Sequence, residues 1–390
     1  MARILVVGGG FAGLSAAARL AKLRHDVTVL ERDDVAGGRL RGVPIGDGLW
    51  AAGPESVTLP GVFRDLFRKS GRPMDALIAI SPASPRHHVL PGRWPRREAA
   101  LDLTFGTRGA QHDAVVTAFD EDAWSPWVDD LADPWNVLRR TVLEAAHPED
   151  SPAPTAPLTD VSLQRLARTL RDPRLRRLAA DLPGTDPSAP GVLAVWHYVE
   201  RNFGRWRFDG GSAGLAAALL TRLRERKVTI ETGVDVAEAT DAGVVLADGS
   251  ARDADLVVWA AGDAPDHGDP THALTAVRLA GAILPDDAIV HDRRSVVRAW
   301  RSGDDGWVLE APVGVDPVEV LARHGHDVRA AVTWRESVGA PPMLAELPRP
   351  ARSPRPGLWL VGAAATPGAS LEVTGMGTAA LAEHLGAVPR

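Results

Sequence analysis

Residues 4–31 of the chain read ILVVGGGFAGLSAAARLAKLRHDVTVLE. The four leading apolar residues predict a short strand, the glycines from Gly8 onward predict a tight turn, and the Ala- and Leu-rich run Leu14–Leu23 predicts a helix. A second apolar run, Asp26–Leu30, predicts another strand. This order of strand, glycine turn, helix and strand is typical of the βαβ unit of a dinucleotide-binding fold.

The spacing of the glycines in this unit indicates a phosphate site. Gly8 permits the tight turn, Gly10 lets the backbone approach a pyrophosphate, and Gly13 lets the helix pack closely on the strand. Glu31 ends the second strand, where it can accept hydrogen bonds from a ribose without a 2′-phosphate. The predicted nucleotide-binding residues of this unit are Gly8, Gly10, Phe11, Ala12, Gly13, Glu31 and Arg32.

The composition of the whole chain excludes several classes of protein. Its 390 residues are 45% hydrophobic and 24% charged, with a mean hydropathy of −0.08, unlike a disordered or an integral membrane protein. The 44 basic and 50 acidic residues give no general reason to bind nucleic acid. The chain has no cysteine, so thiolate metal sites, iron–sulfur clusters and dithiol chemistry are excluded. Any redox chemistry therefore needs an organic cofactor.

Changes in composition along the chain predict a discontinuous α/β architecture. Tryptophans, prolines and helical patterns dominate from about Gly61 to Arg205, and strand patterns return after Gly210. We predict a Rossmann-like nucleotide domain with a second, mixed and partly helical substrate domain. The predicted nucleotide domain comprises residues 1–60, 205–265 and 350–390, and the substrate domain comprises residues 61–204 and 266–349.

Four segments of the sequence resemble one flavoprotein superfamily. In the first, Gly37-Gly38-Arg39 follows the second predicted strand, where the glycines let the chain pass close to a cofactor and Arg39 can offset pyrophosphate charge. With the preceding residues, this element resembles the N-terminus of phytoene desaturases and flavin amine oxidases. Later segments resemble the phytoene desaturase branch more closely, although residues 61–180 and 266–349 match poorly and the substrate region is shorter. These segments are AAGPESVTLPGVF (51–63), DPSAPGVLAVWHYVERNFGRWRFDGGSAGLAAAL (186–219) and GLWLVGAAATPGASLEVTGMGTAA (357–380).

The resemblance implies FAD as the cofactor and extends the predicted site. It implies that Val234 meets the adenine, that Gly53 and Pro54 lie near the isoalloxazine ring, and that Gly362 approaches the ribityl chain. It also implies that Gly375–Gly377 open a helix aimed at the flavin, whose negative charge in the reduced state a helix N-terminus stabilises. The residues added to the predicted cofactor site are Gly37, Gly38, Arg39, Gly53, Pro54, Val234, Gly362, Gly375 and Met376.

Candidates for acid–base chemistry are few. Glu55 and Glu372 flank the motifs expected near the flavin, and each is equally typical of a structural cap. His197 lies in an aromatic segment, WHYVERNF, that is more typical of a buried helix face than of a catalytic histidine. Neither His87-His88, interpreted as a surface loop, nor His324-x-His326 has the ligand spacing of a metal site, so we predict no metal.

The resemblance favours an FAD-dependent dehydrogenase or desaturase that moves a hydride from a small, largely apolar or aromatic metabolite to flavin N5. A flavin-dependent isomerase or dehydroxylase of isoprenoid-like substrates, an amine oxidase and a dissociation-inhibitor-like binding protein are the alternatives. An amine oxidase is less favoured, because Ala363 stands where that branch commonly has Asp and none of the three lysines matches its flavin-site lysine. We predict a cytoplasmic protein with at most peripheral membrane contact.

Overall fold

The computed structural model describes residues 1–53, 55–92, 98–149, 151–152, 154–262, 270–281, 284–293 and 295–388. Within these ranges the strands are β1 (Arg3–Val7), β2 (Asp26–Leu30), β3 (Val43–Ile45), β4 (Gly48–Trp50), β5 (Ile80–Pro82), β6 (Arg86–Leu90), β7 (Ala99–Leu103), β8 (Trp206–Phe208), β9 (Thr229–Glu231), β10 (Val236–Thr240), β11 (Gly243–Leu246), β12 (Ala251–Asp253), β13 (Leu256–Trp259), β14 (His272–Leu279), β15 (Asp287–His291), β16 (Val296–Arg301), β17 (Gly306–Pro312), β18 (Val332–Gly339), β19 (Ala351–Arg355) and β20 (Leu358–Val361). The α-helices are α1 (Phe11–Lys22), α2 (Pro60–Ser70), α3 (Arg108–Phe119), α4 (Trp124–Asp129), α5 (Ala132–Leu138), α6 (Leu163–Ala167), α7 (Pro173–Ala180), α8 (Val195–Phe203), α9 (Gly211–Glu225), α10 (Pro317–Arg323) and α11 (Leu371–Leu385).

A six-stranded sheet carries the predicted nucleotide motif. Its order is β19-β20-β13-β1-β2-β9, and its strand pairs are parallel except for β19 with β20. Parallel neighbours need a crossover connection, and α1 supplies it between β1 and β2. The α/β fold with a Rossmann-like sheet is thus confirmed. Strands from three separated stretches of chain meet in this sheet, and the exact domain boundaries stay a prediction.

Both faces of this sheet are covered, as a parallel sheet requires. Ile4 and Val6 of β1 belong to a core that includes α1, α9 and α11, in which Ala16–Ala18 of α1 are fully buried. Leu5 and Val7, the alternate residues of β1, pack instead against Val244 and other residues of the three-stranded sheet β10-β11-β12. The apolar run of β1 therefore reflects burial on two sides.

A second, seven-stranded sheet is built from strands within residues 86–103 and 272–339. Its order is β18-β14-β17-β16-β15-β6-β7, and only β15 and β6 pair in parallel among its described strands. The interpretation of His87-His88 as a surface loop is wrong, because both residues lie in β6 and His88 is buried. Helices α3–α8 occur between β7 and β8, so the second region is mixed and partly helical as predicted.

His88, His197 and His291 lie in the interior of this second region. The rings of His88 and His291 stack with centroids 5.9 Å apart, and His197 is buried on α8. Burial lowers the pKa of His197 and of His291 to about 4 each, and it lowers the pKa of His88 well below 6.5. The fold therefore holds these rings neutral near pH 7, whereas the unfolded chain protonates them near pH 6.5.

We expect the free energy of unfolding to be highest above pH 6.5 and to fall as the pH drops toward 4. Because only the unfolded state takes up the proton in this window, each histidine with a folded pKa near 4 removes about 2 kcal/mol at pH 5. Urea titrations at pH 7 and pH 5 measure the free energy of unfolding that is lost between these pH values. In His291→Gln this loss should be smaller than in wild type by about 2 kcal/mol. The exposed His384→Gln is the control, and an undiminished loss in His291→Gln would contradict this account.

Candidate dinucleotide and substrate site

The turn between β1 and α1 has a backbone that only glycine fits at two positions. Gly8 has φ +98°, and its N–H donates to the carbonyl oxygen of Leu30 at 2.8 Å. A Cβ on Gly13 would overlap the carbonyl oxygen of Gly8. A Cβ on Gly10, in contrast, would meet no atom of the described residues within 4 Å. Open space therefore lies beside Gly10, where the turn leads into α1.

The start of α1 fits an anionic group in that space. Gly10 is the N-cap residue, and no side chain caps the helix. The first N–H groups of a helix have no partner within the helix and carry a partial positive charge. A pyrophosphate beside Gly10 would therefore be bound by backbone groups alone.

Glu31 ties the turn to the end of β2. Its Oε2 accepts the N–H of Gly9 at 2.6 Å, its Oε1 accepts the N–H of Asp33 at 3.0 Å, and the residue is 7% exposed. The N–H of Val234 donates to the carbonyl oxygen of Glu31 at 2.9 Å, so the predicted adenine-contacting residue lies beside the predicted ribose-binding carboxylate. A carboxylate has about four lone-pair sites, so Glu31 can still accept bonds from a ribose.

The Gly37-Gly38-Arg39 element packs directly on the glycine turn. The N–H of Gly37 donates to the carbonyl oxygen of Gly9 at 2.8 Å, and a Cβ on Gly38 would lie 3.1 Å from Cα of Gly10. Both residues have positive φ, +132° and +50°. Arg39 is exposed, as is Arg32 beside Asp33. The structure thus brings the two glycine motifs together at one edge of the sheet.

The C-terminal motif reaches the same place. Gly362 follows β20 with φ +61°, and a Cβ there would lie 2.6 Å from Cβ of Ala12. A Cβ on Gly375 would lie 2.6 Å from Cγ1 of Val62 and 3.8 Å from the ring of Phe11. Met376 is buried beside it. A Cβ on Gly53 would meet no atom of the described residues within 4 Å. Pro54 lies outside the described residues.

The predicted start of the last helix is wrong. α11 begins at Leu371, and the hydroxyl of its N-cap residue Ser370 accepts the N–H of Val373 at 3.3 Å. Gly375 and Gly377 therefore lie inside the helix, where they allow close packing on Val62 and Pro350. Because α11 begins at Leu371, Glu372 lies in its first turn.

The three acid–base candidates have different surroundings. Glu55 caps α9, since its Oε1 accepts the N–H of Ser212 at 3.3 Å. His197 lies against the ring of Trp124, with centroids 5.0 Å apart, and its Nε2 lies 3.1 Å from the carbonyl oxygen of Ala179. Glu372 is buried and accepts the N–H of Thr58 at 2.5 Å, and burial raises the pKa of its carboxyl against the opposing effect of this bond. These roles stay predictions.

Glu372 lies in the wall of a cavity of about 110 Å³. Sequence reasoning had not pointed to two of its polar residues, Thr58 and Glu200, because their partners are far away in the chain. The lining residues are Thr58, Leu182, Pro183, Gly184, Thr185, Trp196, Glu200, Leu344, Gly368, Ser370, Glu372 and Val373.

The described part of the chain contains neither a metal-binding cluster nor a membrane-spanning helix. No group of three or more His, Asp or Glu side chains there could hold a metal ion. No helix there is long and apolar enough to cross a membrane. The cytoplasmic location stays a prediction.

Comparison with known proteins supports the nucleotide site. Residues 6–68 match the family model of the NAD(P)-binding Rossmann-like domain. The chain is 33% identical to hydroxyneurosporene desaturase of Cereibacter sphaeroides over 75% of this chain and 60% of that protein. It is 30% identical to all-trans-zeta-carotene desaturase of Myxococcus xanthus over 65% of this chain and 51% of that protein. The chain thus spans between half and two thirds of the length of these relatives.

A solved structure extends the likeness to the whole fold. A triple mutant of putrescine oxidase superposes with a TM-score of 0.62, at 15% identity, over 98% of each chain. At this identity the likeness shows the fold alone. The chain therefore contains a Rossmann-like dinucleotide-binding domain, and it is homologous to carotenoid desaturases. The resemblance predicted from the glycine motifs is confirmed.

We expect Gly10→Val to abolish dinucleotide binding while leaving the fold intact. The valine side chain would fill the open space beside the start of α1, where its Cβ would lie more than 4 Å from the described residues outside the turn. The nucleotide-free variant should unfold within about 1 kcal/mol of nucleotide-free wild type, the usual scale of an N-cap change.

Chromatography of nucleotide released by denaturation measures the effect on binding. The matched control is Gly109→Val on α3, where a Cβ also meets open space but no nucleotide motif is near in sequence. Wild-type nucleotide content in Gly10→Val would refute the site.

Proposed function

We propose that the protein is an FAD-dependent dehydrogenase or desaturase that moves a hydride from a small, largely apolar or aromatic molecule to flavin N5. The observation that carries the proposal is the position of α11 between two sites. Gly375 lies against Phe11 of the nucleotide turn, and Glu372, three residues earlier, lines the cavity. Three residues of α-helix span about 4.5 Å, so Glu372 lies within about one helical turn of the residue that packs beside the start of α1, where we place the cofactor.

FAD fits the residues around the turn better than NAD does. The Gly37-Gly38-Arg39 element and the C-terminal segment around Gly362 both pack on the glycine turn, and a nicotinamide-binding site would not need them. In this assignment Gly10 and Arg39 lie at the pyrophosphate, Glu31 binds the ribose, and Gly362 approaches the ribityl chain. Gly53 and Pro54 are assigned to the isoalloxazine. When bound, FAD would supply a two-electron acceptor at N5.

Glu372 is the residue that we assign to proton transfer. Its Oε1 is held by the N–H of Thr58 at 2.5 Å and the hydroxyl of Thr58 at 3.2 Å, so the carboxyl has a fixed orientation at the cavity wall. Burial raises the pKa of this carboxyl. A carboxyl with a raised pKa can exchange a proton closer to neutral pH than an ordinary one.

The same features leave one alternative reaction open. A protonated Glu372 could donate its proton to a double bond, with another proton then lost from a neighbouring carbon, as in an isomerase. It could also donate its proton to a hydroxyl group that leaves as water, as in a dehydroxylase, and neither reaction is a net oxidation. An amine oxidase remains less favoured, since Lys22 lies on α1, Lys69 on α2 and Lys227 after α9. A binding protein without catalysis would have no need of the cavity carboxyl.

We expect the purified protein to be yellow and to release FAD on denaturation. Anaerobic mixing with small apolar or aromatic candidates should bleach the flavin absorbance of the oxidised form. Recovery of nicotinamide nucleotide alone would overturn the cofactor assignment. A colourless protein that stays colourless with added FAD would favour the binding protein, and turnover without bleaching would favour the isomerase.

We expect Glu372→Gln to slow anaerobic bleaching by about 100-fold or more at unchanged FAD content, because general acid–base groups contribute 10²–10⁴-fold. If Glu372 is the base, the wild-type rate falls as the pH drops through the raised pKa of its carboxyl, and the variant loses this dependence. Glu383→Gln, at an exposed position of the same helix, is the control. An unchanged rate and pH profile in Glu372→Gln would remove Glu372 from the mechanism.

A further inference from the structure

The cavity has a second carboxylate with very different surroundings. Glu200, on α8, lines the cavity, and its side chain is 12% exposed. Nη1 and Nη2 of Arg86 donate to its Oε2 and Oε1 at 3.1 and 3.2 Å. This two-pronged contact fixes the plane of the carboxylate.

The charges behind Glu200 balance. Asp287 accepts a bond from Nε of Arg86 at 3.3 Å and another from Arg205, and Nε of Arg205 lies 4.0 Å from Oε1 of Glu200. Burial acts to raise the pKa of Asp287, but Arg86 and Arg205 outweigh it and the pKa is lowered. The cluster therefore holds two cations and two anions, and its net charge is zero.

Glu200 keeps acceptor capacity on the cavity side. A carboxylate has about four lone-pair sites, and the two bonds from Arg86 use two of them. None of the described residues that line the cavity is a lysine or an arginine. The remaining lining is largely apolar, with Trp196, Leu182, Leu344 and Val373 among it. An apolar molecule in this space would leave the acceptor without its hydrogen bond to water, at a cost that a donor group would avoid.

We propose that Glu200 accepts a hydrogen bond from a neutral hydroxyl group of the substrate, so that the cavity binds an apolar molecule carrying an alcohol. This inference rests on the proposed function in taking the cavity as the substrate site. An ammonium group is disfavoured because the cluster around Glu200 has no net negative charge to balance a buried cation. A carboxylate on the substrate would face two carboxyl side chains with no cation on the wall.

The test compares three probes of one shape on the purified FAD-loaded protein: cyclopentanol, methylcyclopentane and cyclopentylammonium. Their dissociation constants are measured by ligand-observed NMR titration, which does not depend on turnover. In Glu200→Gln we expect cyclopentanol to lose about tenfold in affinity relative to methylcyclopentane, because a hydrogen bond to a charged acceptor is replaced by one to a neutral amide.

Leu344→Ala is the matched control, since it enlarges the cavity without touching the charged cluster. It should change the affinities of both neutral probes and leave their ratio within about twofold. The inference would be overturned if Glu200→Gln weakened the binding of cyclopentanol and methylcyclopentane equally. It would also be overturned if Leu344→Ala changed the affinity of neither probe. If Glu200→Gln does not fold, the wild-type protein decides, because tighter binding of cyclopentylammonium than of cyclopentanol also overturns it.

The two proposals fail separately. A yellow protein that is bleached by a substrate but shows an unchanged probe ratio in Glu200→Gln retains its proposed function and refutes the hydroxyl site. A protein that neither holds nor takes up FAD refutes the proposed function, whatever the probe ratio is.

Discussion

The approach of α1 to β1 at Gly8 and Gly13 is the constraint on which the rest of the structure depends. With no Cβ on Gly13, the first turn of the helix can lie against the carbonyl oxygen of Gly8, and any larger residue would push the helix away. That approach directs the free N–H groups of α1 toward the open space beside Gly10. It also lets Glu31, at the end of β2, accept the N–H of Gly9 and close the turn.

The C-terminal elements β20 and α11 also pack close to the junction of β1 and α1. Gly362 and Gly375 are small where they meet Ala12 and Val62, so β20 and α11 can lie close to the start of α1. The same close packing places the first turn of α11, and with it Glu372, at the wall of the cavity. The nucleotide turn and the candidate proton-transfer group are thus positioned by one chain of small-residue contacts.

Much of the nucleotide unit could be predicted from the sequence because its interactions are local. The glycine spacing, the helix after it and Glu31 lie within 31 residues, and their roles follow from backbone geometry. The seven-stranded sheet could not be predicted in this way, because β6 pairs with β15 nearly 200 residues later in the chain. The start of α11 was missed because its glycines suggested a helix opening, although Ser370 and Glu372 form an ordinary N-terminal capping pattern.

The candidate substrate site also combines a residue that the local sequence marks with one that it does not. Glu372 adjoins a recognisable motif, but Glu200 has its position from Arg86, 114 residues away, and nothing in the local sequence marks that pair. The pair belongs to a cluster that joins β6, β15 and α8 to Arg205, just before β8. Removing one member would leave a buried charge without its partner, at a cost of about 3–5 kcal/mol.

The two carboxyl groups of the cavity therefore have different chemical capacities, although both belong to glutamate. Arg86 holds both oxygens of Glu200 in a fixed plane, whereas burial raises the pKa of Glu372. A carboxylate held by two hydrogen bonds can act as a fixed acceptor, and a carboxyl with a raised pKa can exchange a proton in the same site. A cavity of about 110 Å³ is smaller than the roughly 150 Å³ that encloses benzene. Because so small a space encloses little apolar surface, these two groups, rather than the extent of apolar contact, would select the molecule that enters.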